Sequence, residues 1–182
     1  MAASWRPPSI RAAAATQTDK RFDEIAALVT AKMAEYHIPG VAVGIVKNGE
    51  TTIRGFGVTN VDDPQPITPE TLFTIASISK TVTATAVMKL IEQGRVDLKA
   101  PIQKYLPDFR VQDEAVSRAV SFWHLLTHTP AWVAQLSTED RGAEAPGHFA
   151  TTTMRDLPQL AAPGSVWSYN NAGFSLAGRV IE

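Results

Sequence analysis

The sequence has no cysteine among its 182 residues. That excludes disulfides, thiol nucleophiles and cysteine-ligated zinc, and leaves the compartment open. No apolar run approaches the ~18 residues of a membrane-spanning helix, so no membrane is expected as a partner. Neither sign of charge dominates: 17 Lys and Arg stand against 18 Asp and Glu. A chain so balanced offers no basic surface for nucleic acid. The Gly-x-Ser-x-Gly elbow of many Ser-His-Asp hydrolases is missing. His124 and His128 stand at i, i+4, but Leu125-Leu126-Thr127 between them lacks the glutamate of a zinc-protease helix. Both histidines read as packing or capping residues, and neither metal nor cofactor is expected.

What is present is ordinary for a globular domain. Hydrophobic residues make up 45% of the chain, enough to bury a substantial core at this length. Residues 1–18 hold Arg6 and Arg11 and no acidic residue. Pro7-Pro8 interrupts any amphipathic helix there, and the alanines of 12–15 are too few for a secretory apolar core. The segment reads as a disordered tail, and the lack of a clear signal peptide favours the cytoplasm.

Residues 19–37 read as a helix, because Phe22, Ile25, Ala26, Val29 and Met33 recur at helical spacing. A hairpin follows over 41–58, with Asn48-Gly49 at its turn. Its first strand is almost continuously apolar and calls for sheet neighbours, yet no further confident strand appears in the chain. From about residue 77 to the end the sequence reads as mostly helical, with a polar loop at 138–146. Short helices or turns are expected near 101–107, 121–127 and 154–160, and a last helix over 172–182 with Phe174, Ala177 and Ile181 on one side. The fold class is therefore α+β: an N-terminal helix and hairpin, then a helical region.

The chemistry concentrates in Ser77-Ile78-Ser79-Lys80. Ala84, Val87, Met88 and Ile91 mark one face of a helix, and Val82, Ala86 and Leu90 a second. The pattern predicts a helix starting at Ser77, buried on most sides, with Gly94 just past its end. Residues three apart share a face, so Ser77 and Lys80 can meet. A serine hydroxyl needs a base to act as a nucleophile. The positive end of the helix and burial would both favour a neutral Lys80 amine able to take the Ser77 proton.

Three segments in order carry a resemblance: 72–80 (LFTIASISK), 125–129 (LLTHT) and 163–174 (PGSVWSYNNAGF). With them the chain resembles the N-terminal part of serine β-lactamase-like hydrolases, in the branch of class C β-lactamases, related carboxylesterases and D-stereospecific peptidases. The resemblance runs from about Phe22 to Glu182 and implies a partial β-lactamase/penicillin-binding-protein-like fold over 19–182, its C-terminal strands absent. The family's Ser-x-x-Lys falls on Ser77 and Lys80, and its Tyr-x-Asn on Tyr169 and Asn171. It implies that Ser77 takes the acyl group of an ester, amide or β-lactam. Lys80 and Tyr169 would handle the proton, and Asn171 would position Lys80 and the substrate. If 169–171 is extended, Tyr169 and Asn171 point to one side.

Two departures stand out. Pro130-Ala131 replaces the Ser-Gly that usually follows the Leu-Leu-Thr-His-Thr run. The family's third motif, a Lys or His followed by Ser or Thr and then Gly on a later strand, is not among the 13 residues after Tyr169. The expectation is a truncated hydrolase, impaired by itself, open to self-association or to a complementing C-terminal fragment. The alternatives are a non-catalytic binding or assembly module and one half of a split enzyme. Trp5, Trp123, Trp132 and Trp167 read as core or loop-packing aromatics, with Trp167 also a candidate to line the acyl pocket.

Overall fold

The computed structural model describes residues 20–133 and 153–182. The tail expected at 1–18 and the loop expected at 138–146 lie outside the described residues, as does Trp5. The chain divides after Thr74 into two compact units.

The first unit holds helix α1 (Lys20–Tyr36) and strands β1 (Gly40–Lys47) and β2 (Glu50–Gly57). The strands pair antiparallel from Gly40↔Gly57 to Lys47↔Glu50. The two-residue turn between them puts Asn48 at φ 52° and Gly49 at φ 81°. Both are left-handed, the conformation that matches strand twist and that Asn-Gly supplies most easily. Along β1, Val41, Val43 and Ile45 are partly buried, and the residues between them are exposed. α1 packs against β1. Its expected stripe of Ile25, Ala26, Val29 and Met33 is partly buried, and Phe22 fully so. The Arg54 guanidinium of β2 lies 4.4 Å from the Phe22 ring centroid and bonds Asp23 at 3.3 Å, tying sheet to helix. The near-continuous apolar run of β1 leaves Val46 73% exposed, since the described sheet has only these two strands.

The second unit is helical. A 3-10 turn, Ala76–Ile78, leads into α2 (Ser79–Glu92); α3 (Glu114–Ala119), α4 (Phe122–Leu126) and α5 (Asn171–Ile181) follow, with 3-10 turns at Ile102–Lys104 and Thr153–Asp156. Gly94 sits past α2 at φ 69°, the left-handed stop its position predicts. Phe122, Leu125, Trp132, Met154 and Leu176 lie in one buried core. α3 is a helix that the sequence reading lacks. Asp113 caps it, accepting from the Ala115 and Val116 N–H groups at 2.8 and 3.2 Å. Six residues are too few for a periodic pattern.

One expectation needs correction. α2 is not buried on most sides: Val87 is its one buried residue, and Val82 is 64% exposed. Its apolar residues occupy two faces, but α5, its helical neighbour in this unit, covers one. In α5 the fully buried residues are Ala172, Gly173, Leu176 and Ala177; of the side carrying Phe174, Ala177 and Ile181, Ala177 is buried and the other two are half-buried. Of the tryptophans, Trp132 is core, whereas Trp123 and Trp167 are exposed.

Asn170 closes the second unit. It is fully buried. Its Oδ1 accepts from Trp132 Nε1 at 2.9 Å and from the Gly173 N–H at 2.8 Å, and its Nδ2 donates to the Trp132 carbonyl at 3.1 Å. One side chain thereby caps α5 and satisfies a buried indole. Asn170→Ala is expected to destabilise the protein by about 2–4 kcal/mol, from a lost cap and a stranded Trp132 N–H. Urea unfolding followed by tryptophan fluorescence measures it.

Candidate active site

All four residues singled out in the sequence come together within the second unit. Ser77 lies in the 3-10 turn, not in the α-helix proper, which begins two residues later. Lys80 remains one turn on, and its Nζ donates to Ser77 Oγ at 3.3 Å. The residue before the serine, Ala76, has φ 42°. A left-handed conformation is uncommon for a residue with a β-carbon, and such strain collects where a side chain must be held in a set direction. Ser77 is exposed and Lys80 half-buried.

The other wall is the segment that enters α5. Asn170 is extended, at φ −136° and ψ 117°, so its neighbours project away from the side it occupies. Asn170 points into the core. Tyr169 Oη lies 2.5 Å from Ser77 Oγ, and Asn171 Oδ1 accepts from Lys80 Nζ at 2.5 Å. Lys80 Nζ also lies 4.8 Å from the Tyr169 ring centroid and 5.7 Å from that of Phe174, within cation–π range. The ammonium thus bridges Ser77 and Asn171 beside two aromatic rings.

The Tyr169 phenol is held below the ordinary tyrosine range. The Lys80 ammonium beside it is the largest cause and the Ser77 hydrogen bond the next; desolvation works the other way. A hydroxyl–hydroxyl bond of this length gives a proton a direct path from the alcohol to the phenolate.

The two histidines differ in role. His124 packs as a cap: its Nδ1 accepts the Ser121 backbone N–H at 3.1 Å and meets Ser121 Oγ at 3.0 Å. His128 lies just past α4, at φ 58°, and its ring centroid is 4.6 Å from that of Tyr169. From the sequence it reads as a packing or capping residue. Its turn conformation, with the Thr127 and Thr129 hydroxyls 2.8 Å apart, is what brings it to the site. Asn170 was also missed. Its position between Tyr169 and Asn171 was the available signal, since alternation sends the middle residue inward. Among the described residues no group of three metal-ligating side chains occurs, and no helix is long and apolar enough to cross a membrane.

The family model described as Beta-lactamase matches residues 25–182. Penicillin-binding protein 4 of Amycolatopsis lactamdurans is 30% identical over 164 residues, which are 90% of this chain and 41% of that protein. A D-alanine carboxypeptidase AmpC from Burkholderia cenocepacia is similar in structure, with TM-score 0.72 and 30% identity over 91% of this chain and 43% of its own. A class C β-lactamase solved in complex with cefoxitin aligns with TM-score 0.74 and 25% identity, over 89% of this chain and 44% of its own. The chain spans less than half the length of these relatives, two of which are named as a class C β-lactamase and a D-alanine carboxypeptidase. The α+β architecture is the N-terminal part of the fold they share. With the family match covering all but the first residues, the chain belongs to the β-lactamase family.

Proposed function

We propose that this chain carries the acylation centre of a serine hydrolase, with Ser77 as nucleophile and Tyr169 as its proton acceptor. The observation that carries the reading is the 2.5 Å contact of Ser77 Oγ with Tyr169 Oη, made beside Lys80. Ser77 Oγ attacks the carbonyl carbon of an ester, amide or β-lactam, and its proton passes to the Tyr169 phenolate. As the tetrahedral adduct collapses, the C–O or C–N bond breaks and Tyr169 returns that proton to the leaving oxygen or nitrogen. Water then releases the acyl group from Ser77. Lys80 is not the neutral base that the helix terminus and burial suggested: it donates to Ser77 and Asn171 and acts through its charge, favouring the phenolate, while Asn171 holds it in place. The relatives' names, one with cefoxitin bound and one a D-alanine carboxypeptidase, support an acyl donor of amide type.

A fluorophosphonate or β-lactam probe is expected to add one adduct per chain, at Ser77, read by intact mass and peptide mapping. Ser77→Ala abolishes it. Ser79→Ala keeps it, because the hydrogen bonds that join Ser77, Lys80, Tyr169 and Asn171 do not involve the Ser79 hydroxyl. A folded sample that takes no adduct would favour the binding or assembly module instead.

The sign of the pH dependence follows from the base. The phenolate is the active form, so the rate constant for adduct formation rises with pH and levels off as Tyr169 ionises. With its pKa lowered, the plateau begins below the ~10 of a free tyrosine. Tyr169→Phe is expected to slow adduct formation by about 10²–10⁴-fold and to flatten this rise.

The surroundings of Ser77 bear on turnover. Ile78 is 65% exposed and Trp167 68%, so the cluster faces water, where electrostatic stabilisation of a transition state is weak. We therefore propose that these 182 residues turn over slowly alone and that a complementing C-terminal segment raises the rate. Adding the C-terminal portion of a relative, fused or in trans, is expected to increase ester hydrolysis. Equal rates with and without it would count against the idea.

A further inference from the structure

We propose that neutral His128 is a positioning residue that holds Tyr169 against Ser77, and that protonating it releases Tyr169. The inference rests on the reading of Tyr169 given above. His128 grips the segment on both sides of Tyr169. Its carbonyl accepts the Ser168 N–H at 2.9 Å, and its Nδ1 accepts the Asn170 N–H at 2.9 Å. Tyr169 sits between these two anchors, with its ring against the imidazole at 4.6 Å. Phe174 and Trp167 close on the same imidazole at 5.1 and 6.0 Å.

An N–H that donates into Nδ1 needs a lone pair there. The ring is therefore neutral, with its hydrogen on Nε2. Protonation would turn the acceptor into a donor facing a donor, and would bring a second cation near Lys80. The titratable groups facing His128 are Tyr169, from the segment before α5, and Lys80, from α2; Phe174 and Trp167 carry no charge. His124, the titratable residue of α4, is engaged with Ser121. Burial first, and the Lys80 charge second, hold His128 below the ordinary histidine range. Near neutral pH the clamp is therefore closed, and it opens only as the medium becomes acidic.

The test combines a structural readout with a kinetic one. Long-range ¹H–¹⁵N correlation of the wild-type imidazoles is expected to show His128 with Nε2 protonated and Nδ1 bare at neutral pH. An imidazolium or the Nδ1–H form there would overturn the proposal, whatever the chemistry at Ser77. In the labelling assay, His128→Ala is expected to slow adduct formation roughly 10- to 100-fold, the scale of a misplaced reacting group. His128→Asn puts an acceptor oxygen where Nδ1 stood and tolerates a positive φ. It is expected to recover most of the rate and to remove the extra, steeper acid-side loss that protonation of His128 adds to the Tyr169 dependence in wild type. An Asn variant as slow as Ala, or one that keeps the extra acid-side loss beyond the Tyr169 dependence, would refute the clamp. If wild type takes no label at any pH while the tautomer is as expected, it is the hydrolase reading that fails.

Discussion

The burial of the Asn170 amide is the constraint on which the rest of the site depends. Its three hydrogen bonds are made where no water can replace them. Nothing else at that position could serve the Trp132 indole, the Trp132 carbonyl and the first turn of α5 together. Because the backbone there is extended, fixing residue 170 inward fixes Tyr169 and Asn171 outward. A packing requirement of the core therefore sets the direction of two polar side chains at the surface. The candidate site inherits its geometry from a residue that takes no part in its chemistry.

Lys80 is the electrostatic counterpart of that constraint. It is half-buried on the first turn of α2, and apart from Ser77 its partners come from the far end of the unit's sequence. An ammonium placed there needs acceptors, and Asn171 Oδ1 and Ser77 Oγ supply them. The rings of Tyr169 and Phe174 cover another side. The charge is thereby held close to the phenol whose ionisation it favours. α2 and α5 pack together and are joined at this end by the Lys80–Asn171 bond, which holds the turn bearing Ser77 next to the segment bearing Tyr169.

Local patterns were read well where the physics is local. Asn48-Gly49 demands two left-handed residues, and the turn has them. The apolar stripe of α1 and the stop at Gly94 follow from spacing and from the freedom of glycine. Ser-x-x-Lys implied a contact one turn long, and it exists. Readings that needed a neighbour fared worse. Two apolar faces on α2 do not say how many elements cover them, and Val87 is the one residue of the helix that is fully buried. α3 is too short for periodicity, and its Asp113 cap is the feature that betrays it. His128 looked like one more packing or capping residue, because nothing local shows that the chain turns left-handed there.

The sequence by itself determined the hairpin and its register, the stop of α2 at Gly94, and the pairing of Ser77 with Lys80. All of these depend on interactions within a few residues. Tertiary structure alone decided that Tyr169, 92 positions from Ser77, would stand within hydrogen-bonding distance of it, and that His128 would lie behind it. Those contacts arise from how α4 and α5 pack around Trp132 and Asn170. Such packing is a property of the whole core, and no short stretch of sequence contains it.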